Sequence, residues 1–271
     1  MNALESFNAG ALSQAMDTIG AEIKSNPADP KRRTFLFELL CFSGDLDRAG
    51  KQLEVIAQQG AESEVAVQHY RQALQAETAR RQVFAGNGIP GLPKQIPSYT
   101  GLHLKAIQCL HEGKNGEAIA LLEEAVASYP SLQGELNGTK FESLSDCDDV
   151  LGPFLEVLVG PSYSWVPWES IESIQVAPPK FLRDLIWLPA QIDLIVGSLG
   201  QVFLPCLYPG SYGSSSDPVK LGRLTEWQTA VEGLSLGLGQ KLLAVDDLEI
   251  PFAEIRTIEF TTIEPDANAN S

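Results

Sequence analysis

A short pattern that recurs along the first half of the chain constrains the fold more than any other sequence feature. In each copy a glycine is followed five residues later by an alanine, and the copies begin at residues 10, 44 and 113. The second copy starts 34 residues after the first, and the third starts 69 residues later, close to twice that period. A glycine can end a helix in a left-handed conformation, and an alanine lets the next helix approach closely. The repeat therefore predicts stacked helix–turn–helix units.

Apolar residues at helical spacing follow each of these glycines, as expected for helices with one buried face. Residues 35–42 are apolar almost all round, which is typical of a helix packed between neighbours. A longer helix is predicted from about residue 62 to residue 84, where it replaces a middle repeat without matching the motif. Because 34 residues is the tetratricopeptide period, residues 1–136 are predicted to form a tetratricopeptide-like α-α superhelix.

The sequence pattern changes near residue 137 to short alternating runs separated by Gly and Pro, which predict strands. The expected fold class is therefore α+β with two domains: the helical repeats, then a small, mostly β domain over residues 137–263, either barrel-like or a bent sheet. Residues 264–271 are predicted to be a disordered tail. The predicted strands cover residues 154–159, 163–166, 171–176, 201–204, 242–245 and 255–260.

The charge of the chain bears on its partners. It carries 19 basic and 35 acidic side chains, a net charge of -16, and most of the excess lies after residue 100. Such a field repels phosphate backbones and anionic lipid, so nucleic acid is not an expected partner. The longest apolar run is broken by Glu38 and is too short to span a bilayer, so no membrane insertion is expected. With no secretory signal recognisable, a soluble, cytoplasmic protein is predicted.

Candidate metal ligands and catalytic groups are few. The four cysteines are far apart, with no histidine at ligand spacing, so the sequence predicts buried thiols and no metal or cofactor. The sharpest carboxylate cluster is Asp146, Asp148 and Asp149. It could serve a metal-dependent enzyme. The favoured interpretation is that these aspartates cap the following turn or pair with Arg183, and no catalytic residue is predicted.

Five motifs after residue 145 carry a family resemblance. They are D-C-D-D-V-L-G-P-F-L-E-V from Asp146, Y-S-W-V-P-W from Tyr163, L-R-D-L-I-W-L-P-A from Leu182, L-Y-P-G-S from Leu207, and a spaced set that runs from Leu221 to Arg256. In this order, behind a helical half of matching length, they resemble the ImpE family, also called TagJ or SciE, accessory proteins of bacterial type VI secretion. The chain departs from the family pattern at residues 191–197, Leu207, Tyr212 and Lys241, where the resemblance leads us to expect a W-A-N-G-like segment, Arg, Glu and Arg. A function that depends on the missing Arg–Glu pair would not carry over.

The resemblance implies a non-catalytic helper that associates with a contractile sheath by binding the N-terminal helix of its small, TssB-type subunit. It also marks a set of residues that we expect to be structural: Asp146, Asp148, Pro153, Glu156, Trp165, Pro167, Arg183, Asp184, Trp187, Pro189, Tyr208, Pro209, Gly210, Ser211, Arg223, Trp227, Gln240 and Arg256.

Candidate partner-binding residues come from the helical half, because stacked helix pairs present a concave face that can hold another helix. Phe35, Glu38, Tyr70 and Arg71 are the residues predicted to contribute. A self-assembling structural protein, joined through its strand-rich domain, is a further alternative, and the sequence does not determine the oligomeric state.

Overall fold

The computed structural model describes residues 2–27, 29–58, 61–228 and 232–261. Helices occupy the N-terminal part and antiparallel strands the C-terminal part, so the predicted α+β class is confirmed. The predicted tail, 264–271, lies outside the described residues. Among the helices in the described ranges, none combines the length and the apolar character needed to cross a membrane.

In the part of the chain that the structure describes, seven helices form the N-terminal half, and each packs against the next along the chain, although α5 touches α6 only at a few points. The three repeat glycines follow α1, α3 and α6, and all adopt positive φ angles of 82°, 79° and 74°. The three repeat alanines have no exposed surface, so neighbouring helices approach closely there. The helices are α1 (Ala3–Asn8), α2 (Leu12–Ser25), α3 (Pro30–Phe42), α4 (Leu46–Ala57), α5 (Ala61–Phe84), α6 (Thr100–His111) and α7 (Asn115–Val126).

An eight-stranded antiparallel sheet forms the centre of the C-terminal part. Its strand order is β2-β1-β13-β6-β7-β8-β4-β5, and in the described residues its ends do not pair, so the sheet is open. A three-stranded sheet, β12-β11-β3, and the pair β10-β9 complete the strands. The strands are β1 (Gly134–Leu136), β2 (Thr139–Phe141), β3 (Leu144–Asp146), β4 (Phe154–Val159), β5 (Ser162–Pro167), β6 (Ile171–Val176), β7 (Trp187–Leu194), β8 (Ser198–Pro205), β9 (Thr225–Trp227), β10 (Gly237–Gly239), β11 (Leu242–Val245), β12 (Leu248–Pro251) and β13 (Thr257–Phe260), with the short helix α8 (Asp217–Lys220) before β9.

The predicted strands agree with six of these thirteen strands of the described residues; six short strands, β1, β2, β3, β9, β10 and β12, and the long strand β7 were not predicted. β7 lies in the middle of the sheet, between β6 and β8, although it contains Pro189. A proline cannot donate to the ladder and usually indicates an edge strand. Here the carbonyl of Pro189 still accepts a hydrogen bond from the amide of Ala177, at 3.0 Å.

Two hydrophobic cores lie on the two faces of the large sheet. One core lies wholly among the strand-rich residues, from Leu136 to Ile258. The other contains helix residues together with sheet residues such as Phe154, Trp165 and Trp187, so helices and sheet share it. The predicted boundary between residues 136 and 137 falls in the turn of the β1–β2 hairpin. The division into two domains stays a prediction.

Candidate binding site at the helix–sheet junction

A buried network of charged side chains joins α5 to the sheet. The Nε and Nη2 atoms of Arg80, on α5, donate to the two carboxylate oxygens of Glu156, on β4, at 2.7 and 2.9 Å. The Nζ atom of Lys241 lies 2.8 Å from Glu156 and 2.9 Å from Asp146. All four side chains are at most 5% exposed. This is the main ionic connection between the helical and strand-rich parts.

Further hydrogen bonds saturate Glu156. The hydroxyl of Tyr163 donates to its Oε1 at 2.6 Å, and the indole of Trp165 donates to that hydroxyl at 2.5 Å. Burial alone would raise the pKa of Glu156, but Arg80 and Lys241 outweigh it and lower the pKa to about 2. Glu156 is therefore a permanently charged anchor, and none of its oxygens is free for chemistry.

The aspartate cluster caps a turn, which was the favoured sequence interpretation. Asp148 accepts hydrogen bonds from the amides of Val150 and Leu151, at 3.0 and 3.3 Å, and from Gly237 at 2.8 Å. Asp149 accepts one from the amide of Ser235 at 2.6 Å. Burial, and then the charge of Asp146, raise the pKa of Asp148 to about 7. Across the described parts of the chain, no group of three or more His, Cys, Asp or Glu side chains is arranged to hold a metal ion.

Arg183 does not pair with these aspartates; it forms a second connection between the two parts of the chain. Its Nη1 donates to Oε1 of Glu38, on α3, at 2.8 Å. The guanidinium also lies over the rings of Tyr70 and Phe181, at 4.7 and 4.1 Å from their centroids. Asp184, next in sequence, accepts hydrogen bonds from two backbone amides of its own loop.

The four predicted partner-binding residues lie close to this second connection. Phe35 and Tyr70 are half-buried, and the ring of Tyr70 stacks on Phe203 at 5.9 Å. Glu38 is only 6% exposed and is engaged with Arg183, so its contribution to a partner surface would be indirect. Arg71 is half-buried and lies one residue further along α5.

Two surface depressions lie on either side of Arg183. Phe35 and Glu38 line the first, of about 650 Å³, between α3 and the loop before β7. Tyr70 lines the second, which has a volume of about 930 Å³ and lies between α5 and the large sheet. Arg183 lines both, and Arg71 lines neither.

The remaining family-motif residues hold the strand-rich part together and attach it to the helices. Arg223 donates to the carbonyls of Phe7 and Asn8 at the end of α1, at 2.8 and 2.9 Å. Ser211 accepts from the amide of Gly239 at 2.7 Å. Among the tryptophans, three are at most 1% exposed, whereas Trp227 is 37% exposed and packs on Tyr208. The other motif residues form turns, strand ends and strand pairs: Pro153, Pro167, Trp187, Pro189, Pro209, Gly210, Gln240 and Arg256.

Three departures from the family pattern, Leu207, Tyr212 and Lys241, lie in or next to the charge network, whereas residues 191–197 lie at the end of β7 and in the turn to β8. The carbonyl of Leu207 accepts a hydrogen bond from Arg80 at 2.8 Å, and the ring of Tyr212 stacks under the guanidinium of Arg81 at 3.8 Å. Lys241 still supplies the positive charge that the family pattern leads us to expect as Arg.

The sequence analysis did not identify Arg80 as the partner of Glu156, or His103 as a buried group. Arg80 lies in the long helix that lacks the repeat motif, and nothing in the sequence shows which of Arg71, Arg80 and Arg81 would be buried. His103 has no exposed surface, and its ring packs edge-on against Phe154 of β4. No local pattern distinguishes these residues.

Three comparisons place the chain among known proteins. A family model described as "ImpE protein" matches residues 138–259. A Pseudomonas aeruginosa protein named "Type VI secretion system accessory component TagJ" is 35% identical over 260 residues, which is 96% of this chain and 91% of that protein. A crystal structure of a Vibrio parahaemolyticus protein aligns with a TM-score of 0.88 at 25% identity, over 96% of this chain and 98% of that one.

Proposed function

The chain belongs to the ImpE family, and from that membership we propose that it is a non-catalytic accessory protein of a bacterial type VI secretion system. The observation that carries this proposal is the 35% identity to an accessory component of that system across nearly the whole of both chains. Because the identity extends over both the helical and the strand-rich parts, it supports a role that both parts share with the relative.

We further propose that the partner is the N-terminal helix of the small, TssB-type sheath subunit, bound as a helix in a groove. The paired helices, which we take to be tetratricopeptide-like, and the aromatic side chains of Phe35 and Tyr70 beside open depressions support this mode. Arg71, which lines neither depression, is also proposed to contact the sheath helix. The four free cysteines support a reducing compartment, so we assign the protein to the cytoplasm.

The buried carboxylates support a non-catalytic role. The aspartates that would serve the metal-dependent alternative accept hydrogen bonds from backbone amides or face Lys241. A general acid or base needs an oxygen within reach of a substrate proton. Both oxygens of Asp146 and of Asp148 are engaged within the fold, as is one oxygen of Asp149.

A direct binding measurement tests the proposal. A fluorescent synthetic peptide with the sequence of the N-terminal helix of the small sheath subunit is titrated with the full-length protein, and a scrambled peptide is the control. We expect saturable binding tighter than about 100 μM for the native peptide only. If a protein that is folded by circular dichroism binds neither peptide, the sheath proposal is wrong.

Light scattering tests the self-assembly alternative on the same sample. A mass near the 29.3 kDa of one chain would support an adaptor that acts alone. A larger, concentration-dependent mass would favour assembly through the strand-rich part.

A further inference from the structure

The two depressions that meet at Arg183 have an unusual charge for this protein. Their charged side chains are Lys31, Lys180, Arg183 and Arg256 on the basic side, and Glu38 alone on the acidic side. A chain with 35 acidic and 19 basic residues would be expected to line a surface mostly with acids. We call these two depressions together the cationic groove.

The single acid of the groove is already neutralised. Glu38 is paired with Arg183 at 2.8 Å, so this pair adds no net charge. Nearby Asp184 is only 4% exposed, and its carboxylate accepts the amides of Lys180 and Phe181. The lining cations that remain are Lys31, Lys180 and Arg256, and the buried carboxylate of Asp184, which is not part of the lining, offsets part of their charge.

These three cations have no acidic partner within the described ranges. Lys31 and Lys180 are exposed, and neither makes an ion pair there. Arg256 is half-buried, and its Nη1 donates to the carbonyls of Ala253 and Ile255.

Apolar surface lies between the cations. Phe181 is 54% exposed at the edge of the first depression, and Phe35 is half-buried in its wall. Tyr70 and Phe203 form a stacked aromatic wall in the second depression. Exposed aromatic surface next to cations is typical of sites that bind an amphipathic segment.

We infer that the cationic groove binds an acidic amphipathic segment of the partner protein. Apolar side chains of that segment pack on Phe35, Phe181 and Tyr70, while its carboxylates face Lys31 and Lys180. An extended anion such as a membrane surface or nucleic acid would meet the field of the whole chain, whose net charge is -16, whereas a short peptide meets mainly the local cations, because screening limits the range to about 8 Å. This inference rests on the proposed adaptor function and specifies its binding surface and the chemistry of its partner.

Designed peptides test the chemistry of the groove. Two helical peptides share one leucine stripe, and one carries Glu and the other Lys at every polar position. We expect the Glu peptide to bind the full-length protein with an affinity that falls as salt increases, and the Lys peptide not to bind. Equal binding of both peptides, or binding of the Lys peptide alone, would overturn the inference.

Charge-reversal variants test the location. Lys31→Glu with Lys180→Glu should weaken binding of the Glu peptide about tenfold or more, because two attractions become repulsions. The matched control, Lys51→Glu with Lys94→Glu, reverses two exposed lysines that lie outside both depressions and should change binding less than about twofold. Phe181→Ala removes apolar surface without adding charge and should also weaken binding. Equal losses in the groove and control variants would contradict the assignment.

The sheath peptide separates this inference from the proposed function. If the sheath peptide binds the wild type and the groove double variant equally well, the adaptor function stands and the groove assignment fails. If the Glu peptide binds in the groove but the sheath peptide does not bind or compete, the groove stands and the sheath proposal fails.

Discussion

Glu156 illustrates how individual residues hold this protein together. It is completely buried and pairs with both Arg80 and Lys241, each of which also has a second acid, Glu77 at 3.5 Å and Asp146 at 2.9 Å. Removing one member of a buried ion pair leaves an uncompensated charge, which costs more than the pair itself contributes. The identity of this residue therefore affects stability more than any exposed charge.

Glu156→Gln is expected to lower the free energy of unfolding by about 3 kcal/mol or more, because two buried cations lose their shared counter-ion. Urea denaturation at neutral pH measures the effect. The control, Glu172→Gln, removes an exposed charge on β6 and should change stability by less than about 0.5 kcal/mol. Similar effects for both variants would show that the network adds little.

A second prediction for a single residue concerns His103. Its Nδ1 lies 2.8 Å from the carbonyl of Val150, so Nδ1 carries the hydrogen, and Nε2 accepts from the hydroxyl of Tyr129 at 2.6 Å. Burial lowers the pKa of His103 to about 4. Below its unfolded pKa of 6.5 the unfolded chain binds a proton that the folded chain does not, so stability is lost as the pH falls from 6.5 toward 4.

We therefore expect His103→Gln to make stability less dependent on pH in this window, measured by urea denaturation at several pH values. Asp148, with its raised pKa, acts in the opposite sense, because its contribution is lost as the pH rises from about 4 to about 7. Because Asp148 is present in both proteins, the difference in free energy of unfolding between variant and wild type reports the contribution of His103. A difference that stays constant from pH 7 to pH 4 would contradict the prediction.

At the scale of helices and strands, a prediction concerns the glycines that end the repeat helices. Gly44 and Gly113 both follow a helix with φ near +75°, but their surroundings differ. A Cβ atom on Gly44 would lie 2.5 Å from the ring of Tyr212, whereas one on Gly113 would meet nothing within 4 Å. Tyr212 in turn stacks on Arg81, whose Nη1 donates to the carbonyl of Gly44.

Gly113→Ala should cost only the left-handed backbone conformation, about 1 kcal/mol. Gly44→Ala should cost that amount plus the displacement of Tyr212, together about 2 kcal/mol or more. Thermal and urea unfolding of the two variants measure the comparison. Equal losses would show that the α3–α4 turn does not depend on its contact with Tyr212.

At the scale of the whole molecule, the shared core predicts cooperative unfolding. All four tryptophans lie in the strand-rich part, so their fluorescence reports on that part, and circular dichroism at 222 nm reports mainly on the helices. We expect both signals to change at the same urea concentration, because the helices and the sheet share a core and the Arg80–Glu156 pair. Two separate midpoints would support domains that fold independently.

Local sequence signals predicted the elements but not their assembly. The repeat glycines adopt left-handed angles, and the alternating runs form strands such as β4 and β6, because backbone preferences and periodicity act within a few residues. β7 was missed for the same reason. Pro189 is unfavourable in a central strand, and β7 is central only because β6 and β8 pair with it on both sides.

The sequence by itself determined the fold class, the positions of most helices and of six strands, and the family resemblance, because each depends on short segments or on ordered motifs. Only the tertiary structure decided which charges pair: Arg80 with Glu156 across 76 residues, and Arg183 with Glu38 across 145. Any of several acids could neutralise an arginine, and the choice depends on which surfaces the folded helices and sheet bring together. The cationic groove arises in the same way, from residues that are distant in the chain and adjacent only after folding.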